Sequence, residues 1–165
     1  LWFTDNQRDW LSEDMPLDEL NVVKKPGKDH FGFPYCHSGI MVDIQHGWGK
    51  SCADYVKPAT TLGPHAAPLG MKFYTGDQFP PEYKNNILIA EHGSWNRAKY
   101  QGARIKRVIV DADGKNPKSE IFASGWLEGD TGYLGRPADI ILAKDGSILV
   151  ADDWAGAIYR ISYKK

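Results

Sequence analysis

The chain has 165 residues, with 20 basic and 21 acidic side chains and a formal net charge of −1. Neither sign collects into a run of the kind that binds nucleic acid, and no apolar stretch approaches the length of a membrane span. Aromatic residues make up 12%, six of them Trp, a content that suits packed sheets and a planar or sugar-like ligand.

The chain opens directly on a strand, Leu1-Trp2-Phe3-Thr4-Asp5-Asn6, without Met or a hydrophobic leader. A polar loop, Asp5 to Asp18, leads to a short strand, Glu19 to Val23, and then to the aromatic turn His30-Phe31-Gly32-Phe33-Pro34-Tyr35. Residues 36–67 carry no convincing alternation and hold both Cys, two Pro and four Gly; a loop of that length is usually functional. Residues 68–123 read as four strands: Pro68 to Tyr74, Ile87 to Ala90, Ile105 to Val110 and Ser119 to Ala123. Asp111-Ala112-Asp113-Gly114 has its Gly too early for an EF-hand and reads as a hairpin turn. Lys144-Asp145-Gly146-Ser147 is a second Asp-Gly hairpin, between the strands Pro137 to Leu142 and Ile148 onward.

The strands recur. Ile87-Leu88-Ile89-Ala90-Glu91-His92 followed by Trp95 returns as Ile148-Leu149-Val150-Ala151-Asp152-Asp153 followed by Trp154. Each copy follows a Pro-led apolar run and precedes a strand of matched spacing, Ile105-Lys106-Arg107-Val108 and Ile158-Tyr159-Arg160-Ile161. Units of roughly forty to seventy residues built from short strands predict an all-β fold of β-propeller type, with two recognisable blades and part of a third. The whole of 1–165 is read as one partial propeller domain of two to three four-stranded blades. A ring of this kind closes with about four or more blades. The chain is therefore expected to be part of a longer one, or to need partner chains that supply the remaining blades.

Cys36 and Cys52 lie in the long loop, and a loop-closing disulfide in an oxidising compartment is the favoured reading. Cys36, His37, His46 and Cys52 are also zinc-ligand types, in a spacing that matches no common finger. Haem attachment is excluded, because Phe33 stands where that motif requires a second Cys.

Several segments resemble the glucose/sorbosone dehydrogenase family of soluble quinoprotein sugar dehydrogenases, and look most like its sorbosone-dehydrogenase branch. They are Asp18-Glu19-Leu20-Asn21 with Phe31-Gly32-Phe33-Pro34, Gly63-Pro64-His65-Ala66-Ala67-Pro68-Leu69-Gly70-Met71, Ala90-Glu91-His92-Gly93-Ser94-Trp95-Asn96-Arg97, Gly135-Arg136-Pro137-Ala138-Asp139, and Ala151-Asp152-Asp153-Trp154 through Arg160. The resemblance implies a six-bladed propeller, of which this chain is the C-terminal half, and a periplasmic or secreted location. It implies pyrroloquinoline quinone as cofactor, with calcium bound to it, a sugar or sugar-aldehyde substrate, and an external electron acceptor. Carried over by position, main-chain carbonyls of Gln7 and Arg8 would hold calcium, although the family's usual Gly-Pro pair is absent there. His65 falls at a cofactor contact and Arg136 at an arginine that meets a cofactor carboxylate. The loop Glu91 to Arg97 replaces one that ends in a cofactor-binding lysine, and Trp95, Asn96 or Arg97 would stand in for it. The family's general-base histidine lies outside this chain, so the chain alone is expected to be inactive.

Plainer roles stand beside these. Asp152 and Asp153 suit turn amides, His92 a strand-end hydrogen bond, Arg136 a solvated edge, and Trp95 and Trp154 packing as readily as a ligand platform. Two other functions fit the same pattern: a calcium-dependent lactonase, drawing on Glu91, Asn96, Asp152 and Asp153, and a non-catalytic scaffold.

Overall fold

The computed structural model describes residues 1–111 and 115–164; the turn expected at Asp111–Gly114 falls largely outside them. Its strands are β1 (Trp2–Asp5), β2 (Leu17–Val22), β3 (Cys36–His37), β4 (Met41–Val42), β5 (Thr60–Pro64), β6 (Pro68–Phe73), β7 (Ile87–Glu91), β8 (Arg104–Ile109), β9 (Lys118–Ala123), β10 (Leu127–Glu128), β11 (Gly132–Tyr133), β12 (Pro137–Leu142), β13 (Ile148–Asp152) and β14 (Ala157–Ile161). They form three main antiparallel sheets, ordered β1-β2-β5, β6-β7-β8-β9 and β12-β13-β14, and two small hairpins, β3-β4 and β10-β11. Helical structure among the described residues is limited to single turns at Cys52–Asp54 and Pro81–Tyr83, and none is long and apolar enough to cross a membrane.

The middle sheet has the four strands expected; the flanking sheets have three each. The other correction is β5, which lies inside the stretch read as loop. Gly63 and Pro64 break its side-chain pattern and only Leu62 is buried, so its pairing with β2 is carried by backbone rather than by a visible apolar alternation.

The repeated strands occupy different surroundings. β7 is buried along its whole length. Ile87 and Ile89 join Leu20, Leu62 and Val108 between the first and middle sheets. Leu88 and Ala90 join Tyr74, Ile105, Ile140, Ile148 and Val150 between the middle and last sheets. A strand covered on both faces needs an unbroken apolar run, and each such side chain removed from water stabilises the fold by about 1.5–3 kcal/mol. β13 is covered on one face only, and Ile141 and Ile158 beside it are 54% and 75% exposed on the open face.

β1, β6 and β12 lie next to one another. Thr4 Oγ1 donates to the Leu69 carbonyl at 2.8 Å. A Cβ at Gly70 would sit 2.1 Å from Asp139 Oδ1, so β6 and β12 approach as closely as they do because position 70 has no side chain. The strict up-down pairing then sends the connections 6–16, 65–67, 92–103, 124–136 and 153–156 to the same end of the three sheets.

Candidate functional site

The proposed cofactor and calcium residues lie in those end connections: Gln7 and Arg8 in 6–16, His65 in 65–67, Trp95, Asn96 and Arg97 in 92–103, and Arg136 at the head of β12. The connections are tied together by buried carboxylates. Asp18, at the start of β2, accepts from Gln7 N at 2.9 Å, Ala66 N at 2.6 Å and Ala67 N at 2.9 Å. Burial pushes its carboxyl up to about 6 even though those amides favour the ionised form. Asp152 Oδ1 accepts from Arg136 N, Trp154 N and Ala155 N, the turn role anticipated for it. His92 is held differently from a strand cap, its Nε2 lying 2.7 Å from Asp153 Oδ1, and that bond lowers the Asp153 carboxyl below its usual range.

Loops 6–16 and 92–103 close onto each other. Asn96 Nδ2 donates to Asp9 Oδ1 at 2.8 Å, Arg97 Nη2 to Asp14 Oδ1 at 3.3 Å, and Ala98 N to Glu13 Oε1 at 2.8 Å. His65, 5% exposed with φ of 53°, lies against Ser12 O through Nε2 at 2.7 Å. Asn6, Gln7, Asp9, Asp18, His65 and Asn96, with part of 93–95, line a cavity of 80 Å³ between them. Gly93 makes the turn into the second loop at φ of 101°, with the Tyr133 ring where a side chain would begin.

Gln7 and Arg8 are engaged through their side chains. Gln7 Oε1 is 2.9 Å from His37 Nδ1, His37 Nε2 is 2.9 Å from Asp43 Oδ2, and Arg8 Nη1 donates to the same carboxylate at 2.6 Å. Burial alone would raise Asp43, but the bonds from His37, His46 N, Arg8 and Gln45 N hold it well below the carboxylate range. Cys36 and Cys52 are bonded, with Cα atoms 5.5 Å apart. That removes both sulfurs from the zinc alternative, and His37 is already committed to Gln7 and Asp43.

The Arg136 side chain also has partners. Nε donates to His92 O at 3.0 Å and Nη2 to Gly93 O at 2.7 Å, and its guanidinium lies 4.7 Å from the centre of the Tyr133 ring. It braces the 92–103 loop as well as facing the end of the sheets, so its two-pronged edge is spent on main-chain carbonyls.

Arg97 Nη1 is buried without a hydrogen-bond partner, and a carboxylate would accept from it. His65 Nε2 donates to Ser12 O, so the neutral ring keeps an acceptor at Nδ1, which lies 3.6 Å from Asp9 Oδ1. The cavity itself is too small for a three-ring quinone and is lined by Asp9 and Asp18, surroundings that suit a cation rather than an anion. Among the described residues no group of three His, Cys, Asp or Glu side chains is arranged to hold a metal, so a calcium ion here would depend on main-chain carbonyls such as those of Gln7 and Arg8.

Comparison with known proteins agrees with the resemblance in the sequence. A profile of the TrAA12-like family matches residues 43–164. The chain belongs to that family. It is 38% identical over 166 residues to a pyrroloquinoline quinone-dependent pyranose dehydrogenase of Coprinopsis cinerea, covering 88% of this chain and 21% of that protein. It is 39% identical over 171 residues to an uncharacterized protein of Borreliella burgdorferi, covering 100% of this chain and 44% of that protein. The holo form of the pyranose dehydrogenase PQQ domain from Coprinopsis cinerea superposes with a TM-score of 0.74 at 22% identity, over 96% of this chain and 48% of that one. A glucose dehydrogenase crystal structure superposes with a TM-score of 0.68 at 21% identity, over 99% and 41%. This TrAA12-like chain thus spans less than half the length of the relatives it matches.

Proposed function

We propose that this chain is the C-terminal half of a six-bladed propeller and one face of a pyrroloquinoline quinone site in a sugar dehydrogenase of aldose or sorbosone type. The observation that supports this best is the convergence at one end of the sheets. There Arg97 keeps a buried donor atom without a partner, Arg136 holds its guanidinium 4.7 Å from the centre of the Tyr133 ring, and one relative is a pyrroloquinoline quinone-dependent pyranose dehydrogenase.

When bound, the quinone would supply the redox chemistry of sugar oxidation. The protein's part is to bind and orient. Arg97 Nη1 would offer a hydrogen bond to a carboxylate, His65 holds the 6–16 loop through Ser12 O, and Arg136 fixes the 92–103 loop against which the cofactor would rest. Gln7 and Arg8 carbonyls are the proposed calcium ligands, with Asp9 and Asp18 as nearby counter-charge. The proton acceptor for the sugar hydroxyl is proposed to come from the preceding blades, and an external electron acceptor would be the second partner. A periplasmic or secreted location fits the disulfide.

The test is dye reduction by an aldose in the presence of the quinone and calcium, using the protein that contains this chain. Arg136→Ala should lower quinone affinity, because the 92–103 loop loses the guanidinium that holds the His92 and Gly93 carbonyls. Arg136→Lys should restore only part of it, because an ammonium lacks the planar fork that holds both carbonyls at once. Dye reduction that is independent of added quinone would defeat the proposal.

A further inference from the structure

Two of the most exposed aromatic side chains of the fold meet at this same end. Trp10 is 75% exposed and Trp95 53% exposed, and their rings stand edge to face, 5.0 Å between centroids at 79°. Leaving indoles in water forgoes burial that the chain achieves elsewhere. Trp10 also holds φ at 65°, a region that bulky residues rarely occupy and that persists where the surroundings enforce it. The enforcement is visible: Asp9 is bonded to Asn96, Ser12 O to His65, Glu13 to Ala98 N and Asp14 to Arg97. The corner is pre-organised, so a ligand there would not have to order it.

We propose that the Trp10–Trp95 corner is a carbohydrate subsite, which stacks the C–H face of a pyranose ring next to the cavity lined by Asp9, His65 and Asn96. The assignment rests on the sugar dehydrogenase reading and deepens it, by making the ligand a saccharide of more than one ring. The chemistry around the corner selects this occupant. Trp95 and Asn96 line the cavity together with Asp9, and Asn96 Oδ1 is an acceptor without a partner. A flat π-face bordered by a carboxylate and an amide matches a ring with an apolar face and hydroxyls on its rim. An anionic lipid surface is disfavoured by the carboxylates that flank Trp10, namely Asp9, Glu13 and Asp14. With one ring stacked on the corner, the next reaches toward the cavity, so a disaccharide or longer chain should bind better than a monosaccharide.

The test needs no quinone or metal. Saturation-transfer NMR and Trp fluorescence would be recorded on the protein that contains this chain, with glucose, maltotetraose, cellotetraose and a xylan tetramer. The subsite predicts saturable binding of at least one tetramer, at least ten times tighter than glucose. Trp10→Ala and Trp10→Leu should both weaken it tenfold or more with unchanged thermal unfolding, since the side chain is exposed. Trp48→Ala, at another exposed Trp, should leave it unchanged. No transfer to any saccharide, or equal binding by Trp10→Ala, would overturn the subsite. Saccharide binding without quinone binding would instead overturn the cofactor reading alone.

Discussion

Glu19 is a carboxyl in a place that does not suit a charge, and replacing it with Gln should stabilise the protein at neutral pH. The residue is fully buried on β2. Its Oε2 accepts from Asn21 Nδ2 at 2.8 Å, while Glu19 Oε1 and Asn21 Oδ1 are both buried without partners. Burial, reinforced by Asp5 directly across the β1–β2 ladder, pushes the carboxyl up from 4.5 to about 7. A protonated acid, or the amide of Gln, offers the donor that Asn21 Oδ1 lacks. Because the native carboxyl keeps its proton longer than the unfolded chain does, the native state binds more protons between pH 4.5 and about 7. Stability therefore falls as pH rises through that window. A displacement of this size is worth about 3 kcal/mol. Glu19→Gln should match wild type near pH 4 and exceed it by up to about 3 kcal/mol at pH 8, read from urea unfolding at each pH. A difference that stays constant with pH, or a Gln variant less stable at pH 8, would refute the reasoning.

Gly70→Ala should lower the thermal midpoint by several degrees, because its Cβ would sit 2.1 Å from Asp139 Oδ1 and 2.6 Å from Asp139 Cα. Forcing extra volume into such a contact costs about 1–3 kcal/mol, and an unchanged midpoint would show that the inner strands can part freely. Reduction of Cys36–Cys52, or Cys36→Ser with Cys52→Ser, should cost about 3 kcal/mol for a loop of this length in the chain-entropy picture. Equal urea midpoints for the oxidised and reduced protein would contradict it.

The sequence made the strands of the middle and last sheets legible because each carries its own apolar alternation or run, as in Ile87–Ala90 and Ile148–Ala151. It hid β5, whose Gly63 and Pro64 pair through backbone alone. The work of Asp18 was not legible. A carboxylate that organises three main-chain amides from residues 7, 66 and 67 leaves no periodic mark, since its partners are backbone groups up to 49 positions away. Arg136 was read for its charge, whereas its bonds to His92 O and Gly93 O arise only when β7 and β12 are brought together. The Trp10–Trp95 contact is invisible for the same reason, its members being far apart in the chain and adjacent only in space.

The central claim is that this end of the sheets holds pyrroloquinoline quinone, and a calorimetric titration of the quinone into the metal-loaded protein containing this chain tests it most directly. The account predicts saturable binding at one site per chain, weakened at least tenfold in Arg136→Ala and in Arg97→Ala, with thermal unfolding of each variant followed to separate loss of ligand contact from loosening of the 92–103 loop. Absence of binding by the wild type, or wild-type affinity in both variants, would contradict it.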